Sequence, residues 1–210
     1  EGVSCHSSNP EKGVNAVYGM MAVIEEIRKI VPNEHPLLGR GILELTDIVS
    51  APYPGASVVP AACRATFDRR TLVGEDEAVI LAQVNEAITR AREKNPGLKA
   101  RCYLAAGEEK CWTGDTIRAK RYFPAWAVDE HSELVTKARR GLLAAGIDAP
   151  LSHFSFCTNG SHFCGEAGIP TIGYGPSLES LAHVRDEYIE IAQLTKACRG
   201  FESILSELTK

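Results

Sequence analysis

Two stretches of the chain repeat apolar residues at helical spacing. Residues 17–31 place an apolar side chain every three or four positions, which predicts an amphipathic helix. Asn9-Pro10 supplies a capping residue followed by a proline suited to the first turn, so the helix is expected to begin there and end before Pro32. The second helical stretch is predicted from Glu75 to the breaker Asn95-Pro96-Gly97.

Four other stretches read as strands around these helices. Residues 41–50 and 62–70 alternate apolar with polar side chains, and residues 98–106 do the same after the second helix. The chain also begins at residues 1–6 as an extended segment. The resulting order, βαββαβ, predicts a ferredoxin-like unit with a four-stranded antiparallel sheet and two helices on one side.

The second half of the chain has a different organisation. Residues 107–126 are polar and aromatic without a clear period, which predicts a crossing into a second unit. A helix ending at Gly146, short strands at 153–157 and 169–175, and a final helix suggest half of an α/β layer. The final helix is expected to bury a stripe formed by Ile191, Leu194, Cys198, Phe201, Leu205 and Leu208.

Charge and cysteine usage narrow the functional classes. The 210-residue chain has a formal net charge of -4 and scattered Lys and Arg residues, so we expect no nucleic-acid partner. No apolar run has the roughly 20 residues that would cross a membrane. The seven cysteines form no C-x-x-C pair, which favours buried reduced thiols and a cytoplasmic location.

Two residues of the first unit are candidates for chemistry. His6 lies where the first strand gives way to a turn, so its imidazole is expected to be exposed; the alternative is a histidine bonded within its own turn. Arg70 shares one face of its strand with Asp68 and Arg64, and such a row could hold a carboxylate or simply form cross-strand ion pairs.

Further candidates lie on the loops of the second half. Asn159 and Gly175 follow the predicted short strands, at the strand ends where open α/β sheets bind ligands. His183 has acidic neighbours, expected at the start of the final helix, and could be a metal ligand or a helix-entry residue. Ser161 could act as a nucleophile with His162, although the G-x-S-x-G turn is missing.

Three ordered segments carry a family resemblance: GVSCHSSNPEKGVNA, ATFDRRTLVGE, and GIPTIGYGP followed by AHVRDE. Together they resemble the zinc-dependent amidohydrolase and exopeptidase family of aminoacylase, acetylornithine deacetylase, succinyl-diaminopimelate desuccinylase and carboxypeptidase G (peptidase family M20). The segments YFPAWAVDE and CTNG are similar to its selenium-metabolism-linked hydrolase branch. The resemblance implies that residues 1–111 form a ferredoxin-like lid and dimerisation domain, and that residues 112–210 form the C-terminal half of a catalytic domain.

The resemblance also implies roles for individual residues. His6 would reach into the partner's active site of a homodimer and stabilise an oxyanion. Arg70 would grip the carboxylate of a small substrate, and the backbone around Gly175 would line that carboxylate. His183 would be one ligand of two zinc ions, for which cobalt or manganese are substitutes, while the other ligands belong to an N-terminal half with no counterpart here.

Two departures from the family pattern bear on the substrate. Ser57 stands where many members have Asn, and Asn159 stands where many have Asp, so substrate contacts differ from those members. The expected function is hydrolysis of an amide bond in an N-acyl amino acid or small peptide. The alternative is a catalytically inactive dimerisation or binding module derived from such an enzyme, because a single imidazole does not build a two-metal centre.

Overall fold

A computed structural model describes residues 1–210 and divides them into two compact units. Unit 1 comprises residues 1–35 and 40–122, and unit 2 comprises residues 36–39 and 123–210. The mixed α/β class expected from the sequence is confirmed. The strands are β1 (Glu34–His35), β2 (Gly39–Arg40), β3 (Ile42–Ala51), β4 (Ala62–Arg70), β5 (Ala106–Lys110) and β6 (Thr116–Lys120), and the helices are α1 (Ala16–Ile27), α2 (Glu77–Lys94), α3 (Glu133–Ala144) and α4 (Ile191–Leu208).

The core of unit 1 forms between α1 and α2. Val23 and Ile27 of α1 pack against Ala87, Ile88 and Ala91 of α2, and all five side chains are buried. The two alanines lack bulk beyond Cβ, so the helices approach closely along this seam. The partly buried side chains that complete this core are Met20, Ile30, Leu43, Phe67, Val84, Leu98, Ala100 and Cys102.

Helix α1 begins six residues later than the sequence predicted. Asn9 precedes only a short 3-10 turn and its side chain makes no capping bond. Asn15 is the working cap, because its side chain accepts a hydrogen bond from the Val17 amide at 2.9 Å. Helix α2 agrees closely with prediction: Asp76 caps its first turn and Asn95 ends it.

The strands β3 and β4 confirm the predicted antiparallel pair, with a register shift between Leu45 and Asp47. Strand β4 alternates exposed and half-buried residues along its whole length, so Phe67 faces the helices while Arg70 faces outward. This alternation is the period of two that defines the faces of a sheet.

Ladder hydrogen bonds join only two of the four strands expected in this sheet. Residues 98–105 do alternate, with Leu98 and Cys102 turned toward the helices, but they are not assigned as a strand. The N-terminal segment makes isolated bridges at Val3 and His6. Alternation reports which way side chains point, whereas a strand also requires a hydrogen-bonded neighbour.

The segment predicted to be an irregular crossing contains an antiparallel hairpin, β5 and β6. Both strands are almost entirely exposed, so no apolar period marks them in the sequence. Trp112 lies at the tip between the strands and is 97% exposed.

Unit 2 is held together by α3 and α4. Ala138 and Leu142 of α3 pack with Ile204 of α4 and with Ile147. Gly141 is needed at this contact, because a Cβ there would lie 2.6 Å from the Ser203 carbonyl oxygen. Helix α3 confirms the helix that was expected to end at Gly146, and its last helical residue is Ala144.

Helix α4 buries a different face from the one predicted. Ile191 is 81% exposed and Leu205 is 61% exposed, whereas Ala197, Gly200 and Ile204 are buried. A Cβ at Gly200 would overlap the hydroxyl of Tyr174, so small residues rather than the large apolar ones define the packed face. The short strands expected at 153–157 and 169–175 are also not assigned as strands.

The thiols are free but less buried than expected. Cys157 and Cys198 are exposed and the other five are half-buried. Burial raises the pKa of the Cys63 and Cys102 thiols, which favours their neutral form. No helix in the chain combines the length and apolar character that a membrane crossing requires.

A buried ion pair fixes the end of β4. The Arg69 guanidinium lies 2.8 Å from the Glu75 carboxylate, and both side chains are less than 10% exposed. Glu75 also accepts hydrogen bonds from the Leu72 amide and the Asn33 side chain, at 3.0 Å each. The turn after β4 is thereby tied to the strand and to the loop that follows α1.

Glu26 forms a second polar cluster between α1 and α2. Its carboxylate receives hydrogen bonds from Lys29 and Lys94 at 2.6 Å and from Arg90 at 3.3 Å. The hydrogen bond from Lys29, followed by that from Lys94, lowers the pKa of Glu26 to about 2. The hydrogen bond between Lys94 and Glu26 also raises the pKa of Lys94.

Glu26→Gln is expected to destabilise unit 1 near neutral pH by an amount that shrinks as the pH falls. The folded-state pKa of about 2 lies below the ordinary value of 4.5, so the stabilising contribution is complete above 4.5 and is lost between 4.5 and 2. Denaturant unfolding of both proteins across this pH range measures the difference. Glu25→Gln, on the exposed side of the same helix, is the control; a gap between Glu26→Gln and wild type that persists at pH 2 would contradict the assignment.

Glu75→Ala is expected to lower the free energy of unfolding by about 3–5 kcal/mol, because it leaves the buried Arg69 charge without a partner. The matched control is Asp68→Ala, which removes the exposed Arg70–Asp68 pair and should cost less than about 1 kcal/mol. Denaturant unfolding monitored by circular dichroism compares the two variants. Equal losses would show that burial of the Arg69–Glu75 pair has no special role.

Candidate functional site

Main-chain hydrogen bonds hold the His6 segment beside residues 57–61. The Ser7 amide donates to the Ser57 carbonyl, and the Val59 amide donates to the Cys5 carbonyl, both at 2.9 Å. His6 itself forms an antiparallel bridge with Val58. The backbone of His6 is therefore fixed on both sides, while its side chain is exposed as the sequence predicted.

The His6 imidazole contacts its own turn through one nitrogen. The Ser8 amide donates to His6 Nδ1 at 3.2 Å, and Ser8 Oγ lies 2.7 Å from the same atom. Asn9 Nδ2 in turn donates to Ser8 Oγ at 3.0 Å. The sequence raised the alternative of a histidine bonded within its own turn, and this is true of Nδ1. The other ring nitrogen, Nε2, has no hydrogen-bond partner in residues 1–210.

Arg70 ends β4 on the outward face of the sheet. Its Nη2 atom lies 3.1 Å from Asp68 Oδ2, and the two side chains are 48% and 44% exposed. An exposed pair of this kind contributes little stability, so a ligand carboxylate could compete with Asp68 for the guanidinium. The ion pair lies within β4 rather than across strands as one sequence interpretation expected, and the carboxylate-holder interpretation is compatible with this geometry.

The loop that carries Asn159 packs against an aromatic ring of the same unit. A Cβ at Gly160 would overlap the indole of Trp126, so glycine is required beside Asn159. Asn159 itself is exposed, and its carbonyl accepts the amides of His162 and Phe163 at 3.1 Å. The short π-helix that follows, Ser161–Glu166, begins from this turn.

Gly175 and His183 occupy exposed loops before α4. A Cβ at Gly175 would meet no atom within 4 Å, so the space beside this backbone is open. His183 has a positive φ of 60°, a conformation that is uncommon outside glycine, and its amide donates to Glu187 Oε2 at 3.0 Å. The acidic residues after His183 do not start the final helix as predicted, because α4 begins at Ile191.

The chain does not assemble a metal site by itself. No group of three or more His, Cys, Asp and Glu side chains in residues 1–210 is arranged to hold a metal ion. His183 is one exposed imidazole, and the Glu187 carboxylate accepts a hydrogen bond from its main-chain amide rather than from its ring. The residues present therefore do not fit a two-metal centre on their own.

Ser161 and His162 have different partners. Ser161 is buried with Oγ 3.4 Å from Cys157 Sγ, whereas His162 Nδ1 lies 2.8 Å from Glu166 Oε2. A serine nucleophile requires its base within hydrogen-bond reach. This geometry does not favour the serine-hydrolase alternative.

Sequence reasoning missed the residues that hold the candidates in place. Ser8 contacts the His6 turn and Glu75 contacts the end of β4, whereas Glu187 is one of the acidic neighbours of His183 that the sequence did identify. A serine two positions after a turn histidine is a readable signal for Ser8. No local sequence pattern identifies Glu75, because its contact with Arg69 depends on the three-dimensional path of β4 and of the turn that follows it.

Comparison with known proteins finds a peptidase domain that matches the first part of the chain. Residues 1–96 match the peptidase dimerisation domain, M20_dimer. Over 192 residues the chain is 31% identical to the uncharacterized protein YgeY of Escherichia coli K12, covering 89% of this chain and 46% of that protein. A YgeY protein of Escherichia coli O157:H7 matches equally. The chain thus spans about half the length of these relatives.

Solved structures share the fold at low sequence identity. Aminopeptidase PepT from Bacillus cereus has a TM-score of 0.69 and 18% identity, and a tripeptidase from Staphylococcus aureus has 0.66 and 15%; each match covers 100% of this chain and 50% of the other. The M20 family metallo-carboxypeptidase Sso-CP2 from Sulfolobus solfataricus scores 0.62 at 15% identity, covering 96% and 54%. The chain therefore shares its fold with about half of each of these proteins, and its first 96 residues match the peptidase dimerisation domain.

Proposed function

We propose that this chain belongs to a metal-dependent hydrolase that cleaves an amide bond in an N-acyl amino acid or a small peptide. The observation that carries the proposal is His6: its backbone is fixed within the residues that match the dimerisation domain, and its Nε2 is free to bind a ligand. The resemblance of the segments YFPAWAVDE and CTNG to the selenium-metabolism-linked branch is the basis for proposing a deacetylase or dipeptidase type of activity.

His6 is proposed to stabilise the oxyanion that forms when the amide carbonyl is attacked. An exposed imidazole on a dimerisation domain is suited to act in the active site of the partner subunit. Removal of one such hydrogen-bond donor typically lowers kcat by about 10²–10³-fold. The role requires an N–H that faces the substrate, and His6 Nε2 is the atom available for it.

Arg70 is proposed to bind the substrate carboxylate. Its planar fork matches the two carboxylate oxygens, and its present partner Asp68 is itself exposed. Gly175 is proposed to line the same carboxylate, since its backbone has open space beside it. Asn159 would add a neutral polar contact rather than a charge.

His183 is proposed to be one ligand of a zinc centre, with cobalt or manganese as substitutes. The remaining ligands would come from the part of the relatives' length that these 210 residues do not span. We also propose residues 1–111 as the lid and dimerisation domain and residues 112–210 as the C-terminal half of the catalytic domain, while the compact unit 1 continues through the β5–β6 hairpin to residue 122. Free thiols support a cytoplasmic location.

The second candidate function is a dimerisation or binding module without catalysis. It is favoured by one observation, that no metal-binding group of side chains assembles within residues 1–210. The two functions differ in whether the natural full-length protein hydrolyses peptides when zinc is supplied.

Mixed dimers of the full-length protein test the proposed activity and the role of His6 together. We expect His6→Ala and His183→Ala each to abolish most hydrolysis of a dipeptide. When the two inactive variants are coexpressed, half the dimers are mixed and each contains one intact site, so activity should recover to about a quarter of wild type. Single variants coexpressed with themselves are the controls.

Failure has two distinguishable forms. Full activity of the wild type without recovery in mixed dimers would place His6 in its own subunit's site or outside catalysis. An inactive wild type with zinc supplied would favour the non-catalytic module.

We also expect a homodimer formed through α1 and the edge of β3. Tyr18 and Met21 of α1 are 70% and 52% exposed, and Ile48 of β3 is 46% exposed, which leaves apolar surface on this unit. Met21→Glu should shift sedimentation at micromolar concentration toward the monomer. Val73→Glu, at a residue 46% exposed outside these two elements, should leave the dimer unchanged; equal effects of both variants would refute the proposed surface.

A further inference from the structure

Two donors converge on one nitrogen of His6. The Ser8 main-chain N–H points at Nδ1 from 3.2 Å, and the Ser8 hydroxyl oxygen lies 2.7 Å from the same atom. A main-chain N–H can only donate, so Nδ1 must accept in this arrangement. A neutral imidazole that accepts at Nδ1 carries its proton on Nε2.

The hydroxyl of Ser8 is itself oriented by a neighbour. Asn9 Nδ2 donates to Ser8 Oγ at 3.0 Å, and because Nδ1 is an acceptor, the 2.7 Å contact with the ring requires the Ser8 hydroxyl to donate. The hydrogen bonds therefore run in one direction, from Asn9 to Ser8 to His6. The main-chain N–H and the hydroxyl of Ser8 both stabilise the tautomer that carries its proton on Nε2.

We infer that Ser8 is a positioning residue that fixes His6 as a neutral Nε2–H donor facing away from its own turn. An oxyanion needs a donor, and the opposite tautomer would present a lone pair at Nε2 instead. The catalytic consequence rests on the proposed function, whereas the tautomer is a property of these 210 residues alone. The two parts are therefore tested by separate measurements.

The tautomer is measured by nitrogen-15 NMR of the histidine side chains at alkaline pH, where imidazoles are neutral. We expect His6 in the wild type to show a protonated Nε2 and an unprotonated Nδ1. Ser8→Asp replaces the hydroxyl donor by a carboxylate acceptor, whose charge competes with the retained Ser8 main-chain N–H and should draw the proton to Nδ1. Ser8→Thr keeps the hydroxyl and should retain the wild-type signals.

Ser7→Asp is the matched control, because it adds the same charge one residue away. The Ser7 side chain is exposed, and its main-chain bond to Ser57 does not involve the side chain. A wild-type ring with its proton on Nδ1 would overturn the assignment. Identical spectra for Ser7→Asp and Ser8→Asp would overturn it as well.

Kinetics of the full-length protein test the catalytic part. Ser8→Asp should lower kcat for a dipeptide by at least about 10-fold with KM nearly unchanged, approaching the loss caused by His6→Ala. Ser8→Thr should restore most of kcat, and Ser7→Asp should change it less than about 2-fold. If Ser8→Asp moves the proton but leaves kcat unchanged while His6→Ala abolishes activity, the positioning role of Ser8 is wrong and the proposed function stands.

Discussion

The packing of α1 on α2 is the contact on which the first unit depends. The sheet that packs on these helices consists of one paired ladder, β3 with β4, and two strands alone are marginal in water. The helices supply the missing burial, because Ala87 and Ala91 let α1 lie close to α2 while Leu43 and Phe67 cover the cluster from the sheet. Larger residues at the two alanines would separate the helices and open this core.

The backbone around Arg70 is fixed by that core, and the backbone around His6 is fixed by main-chain hydrogen bonds. Strand β4 is held on one face by Phe67 in the core and at its end by the buried Arg69–Glu75 pair, so Arg70 emerges from a strand with little freedom. The His6 segment is held differently, by main-chain hydrogen bonds to residues 57–61. In both cases an exposed polar side chain is presented by backbone that the rest of unit 1 immobilises, which is how ligand-binding groups keep a defined geometry.

The sequence predicted the elements of this fold better than their partners. The periods of α2 and β4 agree with the structure because each element buries one regular face, whereas β3 alternates only as far as Leu45. The residues 98–105 show the limit: their side chains alternate as predicted, but no ladder forms, since pairing depends on backbone neighbours that alternation does not specify. Helix α4 was misjudged because it has two apolar faces, and the smaller one, at Ala197 and Gly200, forms the contact with its neighbours. For the candidate site, exposure of His6 and the outward face of Arg70 could be predicted from local pattern, whereas Ser8 and Glu75 could be assigned only from contacts.

The two tryptophans of the chain occupy contrasting surroundings. Trp112, at the hairpin tip, is almost fully in water, whereas the ring of Trp126 lies against Gly160 beside Asn159. Indole emission depends on the polarity around the ring, so the two residues contribute different parts of the fluorescence spectrum. The variant Trp112→Phe would therefore contain a single tryptophan, Trp126, as a fluorescence reporter beside the loop that carries Asn159.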